Sequence, residues 1–286
     1  MIEYRNKFMD ETKKFKNATI GYFDGVHQGH QILLKKLTKD DVIITFKNHL
    51  FSNEIYPLEQ KIFLLKEFCP NIIVLDLDKI KSNTKEDFIS YLKTFNLNKI
   101  IVGEDFKFGT DKEGNVDYLS NYFNLEVIPL LTIDGVKISS TLIRECLKEG
   151  KINKANELLT RKYAINDIVV RGHQIGRELG FPTINVFLRE SLLLRYGVYR
   201  TKITIDDIIY NSITNVGVRP TFNNSNILEE TIETFVFDFD QTTYGELVNV
   251  EFLEFIRDEK KFSSKEKLVE QIKKDIEYVR GNDENK

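Results

Sequence analysis

Gly21-Tyr22-Phe23-Asp24-Gly25-Val26-His27-Gln28-Gly29-His30 is the stretch on which the first half of the chain turns. It follows the apolar run Ala18-Thr19-Ile20 and opens into Gln31-Ile32-Leu33-Leu34-Lys35-Lys36-Leu37, whose Ile/Leu spacing suits a helix packed on a sheet. The reading is strand, glycine-rich turn, helix. Glycines at 21, 25 and 29 let the backbone turn sharply and approach a ligand, and a helix N-terminus offers free N–H groups to an anion. His27 and His30 stand three apart, so in a helix their side chains would share one face, about 5–6 Å apart between Cβ atoms. The pattern is neither a lysine-ended phosphate loop nor a G-x-G-x-x-G fingerprint. Two imidazoles take the place of the lysine, or else they are surface histidines beside a glycine turn.

Working outward, Asp41–Phe46, Asn71–Leu75, Lys99–Gly103 and Leu125–Leu130 read as short buried strands rich in Ile, Val and Leu. Helical periods over Leu58–Phe68 and Thr84–Phe95 alternate with them, which predicts right-handed crossovers, a parallel sheet and a site beyond the strands' carboxyl ends. Three stretches fall just after such ends. Thr45-Phe46-Lys47-Asn48-His49-Leu50 carries His49, and Gly103-Glu104-Asp105-Phe106-Lys107-Phe108-Gly109 sets charges between aromatics and glycines. Ile138-Ser139-Ser140-Thr141-Leu142-Ile143-Arg144 begins a helix with three hydroxyls, which either cap it or leave its N-terminus to a phosphate, with Arg144 one turn on.

GYFDGVHQGH resembles the signature of nucleotidyltransferases with an HxGH motif. With the later stretches it resembles the adenylyltransferase half of the prokaryotic bifunctional riboflavin kinase/FMN adenylyltransferase (FAD synthetase) family, marked in order by GxFDGxHxGH, TFxPHP, GxDFxFG and SSTxIR. The second mark departs: TFKNHL keeps Thr45, Phe46 and His49 but has Asn48 and Leu50 in place of prolines. The resemblance implies a Rossmann-like domain over residues 1–162. It puts His27 and His30 at the ATP phosphates, Ser139, Ser140, Thr141 and Arg144 around the triphosphate, and Asp105 near FMN or a metal. Gly21, Phe23, Asp24, Gly25, Gly29, His49 and Phe106 complete the binding set.

After a short helix over 151–162, the texture changes at Tyr163. Short strands rich in Val, Ile, Thr, Phe and Tyr follow over 164–170, 183–188, 197–205, 208–215, 231–239 and 247–255, as in an antiparallel barrel. A final helix from about Ser264 to Val279 carries a Leu268, Ile272, Ile276 stripe, with Ser263 and Glu266 spaced as a capping box. Gly172, Gly176 and Gly180 precede Phe181-Pro182-Thr183-Ile184-Asn185, a flexible flap leading to a fixed edge whose oxygens suit a hard cation, or a glycine-rich barrel loop. This cluster resembles the GxxxGxxxGxPTxN pattern of the riboflavin kinase module. So do Tyr196–Tyr199, Asn215–Phe222 and Arg257–Phe262. By that match residues 163–286 form a barrel domain with a terminal helix. Thr183 and Asn185 would hold Mg2+ with ATP; Gly172, Gly176, Gly180, Pro182, Asn215 and Arg257 would line the site. Glu233 would be the general base, in a Glu-Thr-Phe where the family has Glu-x-His.

The resemblance implies an enzyme that phosphorylates riboflavin to FMN with ATP, then adenylylates FMN to FAD and pyrophosphate, with Mg2+ at both steps. The alternatives are a riboflavin kinase whose adenylyltransferase is weak or absent, and a non-catalytic regulator that binds flavin or nucleotide. At 286 residues there is room for two domains. Hydrophobic residues make up 41% and no apolar run nears the roughly 20 residues of a membrane span. A net charge of −3 argues against broad nucleic-acid binding. Two distant cysteines predict neither a disulfide framework nor a zinc site, and the charged N-terminus predicts no secretory signal. The expectation is a cytoplasmic protein with small-molecule partners and open oligomeric state.

Overall fold

The computed structural model describes residues 2–5, 14–47, 54–80, 82–172, 175–188, 192–221 and 224–283, so His49 lies outside the described residues. The chain packs as two compact units, Met1–Leu142 and Ile143–Lys286. Among the described residues no helix is long and apolar enough to cross a membrane.

The first unit runs β1 (Ile2–Arg5), β2 (Asn17–Ile20), α1 (Gln28–Leu34), β3 (Val42–Lys47), α2 (Leu58–Lys66), β4 (Ile72–Asp76), α3 (Leu77–Ile80) and α4 (Lys85–Lys93). It continues through β5 (Lys99–Gly103), β6 (Lys107–Phe108), β7 (Gly114–Asn115), α5 (Val116–Ser120), β8 (Leu125–Ile128), β9 (Thr132–Ile133), β10 (Val136–Lys137) and the start of α6 (Ser140–Lys148). Six strands form one parallel sheet in the order β1-β4-β3-β2-β5-β8. Helices cover both faces, so the strands are apolar without alternation; every residue of β4 is buried. The chain leaves β2 outward through β3 and β4, then returns to β5 on its other side. That reversal opens a crevice beyond the carboxyl ends of β2 and β5. Two local features set element ends here. Thr84 and Asp87 close a capping box on α4, each side chain bonded to the other's backbone N–H. Pro129, without an N–H, stands just past Ile128, where β8 stops short of the expected Leu130.

The second unit runs from α7 (Ile152–Leu159) through β11 (Tyr163–Val170), α8 (Ile175–Glu178), β12 (Thr183–Val186), β13 (Gly197–Ile205), β14 (Ile208–Thr221), β15 (Asn224–Val236) and β16 (Leu247–Asp258) to α9 (Lys265–Asp283). Its strands close an antiparallel barrel in the order β11-β12-β15-β14-β13-β16. Inside, the buried hydroxyls of Thr201, Ser212, Thr214 and Thr234 satisfy one another at 2.8–2.9 Å. Packing divides the chain earlier than the change of texture at Tyr163. Asn156 of α7 donates to Phe252 O at 2.9 Å and accepts from Tyr163 N at 2.7 Å, which fastens the helix to β11 and β16. Strand β14 runs past the expected 208–215 and β15 begins before the expected 231, because pairing within their hairpin carries the ladder through polar, turn-like residues, while β15 stops at Val236, short of the expected 239. The cap of α9 is Ser264, one residue after the expected Ser263; its hydroxyl accepts from Lys267 N at 3.4 Å.

Candidate active sites

In the first unit the glycine-rich turn stands at the crevice. Phe23 takes the left-handed region (φ 53°, ψ 31°), a conformation costing about 1–3 kcal/mol that persists only where packing imposes it. Its ring is buried against Gly21, where an added Cβ would stand 2.9 Å away. Gly25 (φ 77°) and Val26 complete a tight turn, and His27 becomes the N-cap of α1. The histidines are therefore not successive helical residues as the spacing suggests. His27 leaves the helix in extended geometry, so its ring stacks on His30 with centroids 3.6 Å apart, while Phe23 meets His30 edge-on. His27 Nδ1 accepts from His30 N, which places the proton of the neutral ring on Nε2. Gly29 permits this: an added Cβ would stand 3.2 Å from His27 Cε1.

A cavity of about 1130 Å3 opens here, lined by Gly21, Phe23, His27, Gly29, His30, Asp105, Phe106, Ser139, Ser140 and Thr141 among others. The three hydroxyls divide their work. Ser139 caps α6 by accepting from Leu142 N, Ser140 donates to Asp24 O at 2.9 Å and ties α6 to the turn, and Thr141 remains exposed at the cavity. Asp105 forms an ion pair with Lys137 at 2.7 Å, and Phe106 stacks on Phe108. Asp24 is buried and accepts from Ile55 N at 2.8 Å, so it braces the turn from behind. Arg144 lies one turn along α6, past Leu142, in the second unit.

Sequence reasoning missed Lys61. It is wholly buried in α2, with Nζ 2.8 Å from Phe46 O, 3.7 Å from Glu54 and 4.2 Å from the Tyr22 ring; Tyr22 in turn bonds Glu54. A lysine on a helix carries no sequence signal of such burial. Lys137, exposed on β10, was missed because nothing in the sequence places it beside Asp105.

In the second unit the register assembles the candidate residues. Glu233 on β15 pairs with Asn185 on β12 and with Asn215 on β14, so the three lie abreast on one face. Thr183, Phe235 and Ile213 form the next rung of that face. The neighbouring Thr234 faces the opposite way, into the hydroxyl-lined interior. The glycine-rich segment lies over the same face: a Cβ on Gly172 would stand 2.4 Å from the Asn185 side chain, and one on Gly176 would stand 2.4 Å from Phe181 O and 3.3 Å from Thr183 Oγ1. Gly180 (φ 85°) turns the chain toward exposed Pro182 and β12, and Phe181 packs edge-on against Phe235. Arg257 is engaged otherwise: its Nη2 lies 2.6 Å from Asp275 of α9, to which Nε also donates. Tyr196 donates to Glu230 at 2.7 Å, a bond that pushes the tyrosine pKa up to about 12.

A histidine-bearing turn at the switch point of a parallel sheet is the architecture of Rossmann-like nucleotidyltransferases, here followed by a separate antiparallel barrel. A family model described as FAD synthetase matches residues 9–142, and one described as riboflavin kinase matches residues 159–282. The bifunctional riboflavin kinase/FMN adenylyltransferase of Buchnera aphidicola subsp. Schizaphis graminum is 37% identical, across 92% of each chain. Its Bacillus subtilis namesake is 33% identical, across 96% of this chain and 94% of its own. A crystal structure from Streptococcus pneumoniae, described as a macrolide-efflux protein, covers 98% of both chains at 31% identity with a TM-score of 0.87. The chain belongs to the bifunctional riboflavin kinase/FMN adenylyltransferase family.

Proposed function

We propose that the second unit transfers the γ-phosphoryl group of ATP to the 5′-hydroxyl of riboflavin, giving FMN, and that the first unit joins FMN to the AMP moiety of ATP, giving FAD and pyrophosphate. The observation that carries the kinase site is the row Asn185, Glu233, Asn215 under a glycine-rich flap. Glu233 takes the hydroxyl proton as the oxygen attacks the γ-phosphorus and ADP departs. Gly172 and Gly176 let the flap backbone close on phosphates. Thr183 and Asn185 offer hard oxygen ligands, and among the described residues no group of three or more His, Cys, Asp or Glu is placed to hold a metal. That set fits Mg2+ whose remaining ligands are phosphate and water; bound there, it would neutralise charge on the transferring group.

In the first unit the stacked His27 and His30 donate hydrogen bonds that align the ATP phosphates, with Thr141 and the α6 N-terminus beside them. Lys137, held by Asp105, adds positive charge at the cavity. The residues assigned to the two reactions fall within 1–162 and 163–286, although α7 packs with the barrel. We place both reactions in the cytoplasm, with riboflavin, FMN and ATP as partners. The test supplies ATP with either riboflavin or FMN and separates the products. The wild type gives FMN and FAD from riboflavin; Glu233→Gln gives FAD only from added FMN. Loss of both reactions in Glu233→Gln would overturn the separation of sites.

A further inference from the structure

Glu259, just beyond β16, has no part in the assignments above. Its carboxylate is folded onto β14: a Cβ on Gly217 would stand 2.0 Å from Glu259 Oε1, 2.9 Å from its Cδ and 3.4 Å from Asn215 Nδ2. Gly217 does not have a positive φ, so the backbone makes no demand for glycine there. The demand is for space, and the carboxylate fills it. Asn215 donates a hydrogen bond to this carboxylate, and partial burial raises the Glu259 pKa despite that bond. Asn215 is also the cross-strand partner of Glu233, at a spacing of about 4.5–5.5 Å between Cβ atoms for such pairs.

An asparagine amide has two N–H groups and one oxygen. With one N–H committed to Glu259, the amide plane is fixed, and the second N–H is available to the neighbouring Glu233. We infer that Glu259 is a positioning residue for FMN formation: seated over Gly217, it orients the Asn215 amide, which in turn aims the Glu233 carboxylate at the riboflavin hydroxyl. Glu259 takes no proton itself. The proton passes from the 5′-hydroxyl to Glu233 while the oxygen–phosphorus bond forms and the bond to ADP breaks. This inference rests on Glu233 as base, and its test separates the two.

The test measures FMN formation, riboflavin binding and FAD formation from added FMN in the full chain. Glu259→Ala lowers kcat for FMN formation by about 10- to 100-fold, the loss expected when a reacting group is misaligned, with the KM for ATP little changed. Glu259→Gln, whose amide oxygen still accepts from Asn215, retains most of the rate. Gly217→Ala, which expels the carboxylate by bulk, matches Glu259→Ala, and the double variant is no slower than either single one because both act through one contact. Riboflavin binding and FAD formation persist in all four variants, which shows that both units are folded. The inference is overturned if Glu259→Ala keeps kcat within about twofold, or if the two losses multiply in the double variant. Glu233→Gln distinguishes the levels: if it too leaves FMN formation intact, the base assignment fails; if it alone abolishes FMN formation, only the role of Glu259 fails.

Discussion

Replacing Arg257 by leucine decides between a substrate contact and an anchor for α9. The guanidinium donates to Asp275 from Nε at 3.1 and 2.9 Å and from Nη2 at 2.6 Å, and Gln271 donates to the same carboxylate at 2.8 Å. The side chains are 15% and 6% exposed. Removing one partner of a buried pair costs about 3–5 kcal/mol, because the other charge stays behind. Solvent reaches the arginine and Gln271 remains, so the lower end, about 3 kcal/mol, applies. For a unit of this size each kcal/mol lowers Tm by about 2–4 °C, which gives a fall of about 6–12 °C. Arg257→Leu combined with Asp275→Leu recovers most of it, since a well-packed apolar pair replaces the ion pair at little net cost. Circular dichroism through the melt gives Tm, and FMN formation is assayed well below it. The anchor predicts a lowered Tm with FMN formation preserved in the cold. An unchanged Tm with FMN formation lost would refute it and make Arg257 a substrate contact.

Gly29→Ala sets a methyl 3.2 Å from His27 Cε1 and displaces the stacked ring, so FAD formation from FMN falls about tenfold or more while FMN formation continues; product separation reads both. Gly172→Ala sets a methyl 2.4 Å from the Asn185 side chain, so FMN formation falls with a raised KM for ATP and FAD formation is untouched, as steady-state kinetics would show. Hydrogen bonds from Lys36 and Lys99 hold the Glu126 carboxyl below its usual range. A depressed carboxylate pKa adds stability that is present above the unfolded pKa and is lost as pH falls through the folded one. Glu126→Gln therefore lowers Tm by about 1–2 °C at pH 7, scaled to a partly exposed pair, and the difference closes below about pH 4.

The parallel sheet was legible because a sheet covered on both faces forces its strands to be continuous apolar runs, and β3, β4 and β5 are such runs. Strand β1 was not: Ile2-Glu3-Tyr4-Arg5 has no such texture, and only pairing with β4 makes it a strand. The glycine and histidine clusters mark both candidate sites in the sequence, since a backbone that is to approach phosphate closely restricts residue type. What joins Asn185, Asn215 and Glu233 is register, which sequence separation does not encode; a one-residue slip would turn Glu233 into the barrel in place of Thr234. Lys61 and Arg257 show the converse. Lys61 looks like an ordinary surface cation in sequence and Arg257 is expected there to line the kinase site; only the packing of Glu54 or Asp275 against each gives it its place.

The two sites differ in the group that does the chemical work, and the nucleophiles explain why. The phosphate of FMN is already an anion at neutral pH, so adenylyl transfer needs no base; it needs positive charge and donors to bring two phosphate groups together. The first unit is equipped accordingly. Two imidazoles face the cavity, while the carboxylates of its motifs are committed elsewhere, Asp24 to Ile55 N, Glu104 to Leu130 N and Asp105 to Lys137. Riboflavin instead attacks through a neutral alcohol, which is a poor nucleophile until its proton is taken. In the function proposed above, Glu233, abreast of Asn185 and Asn215, is the carboxylate for that task.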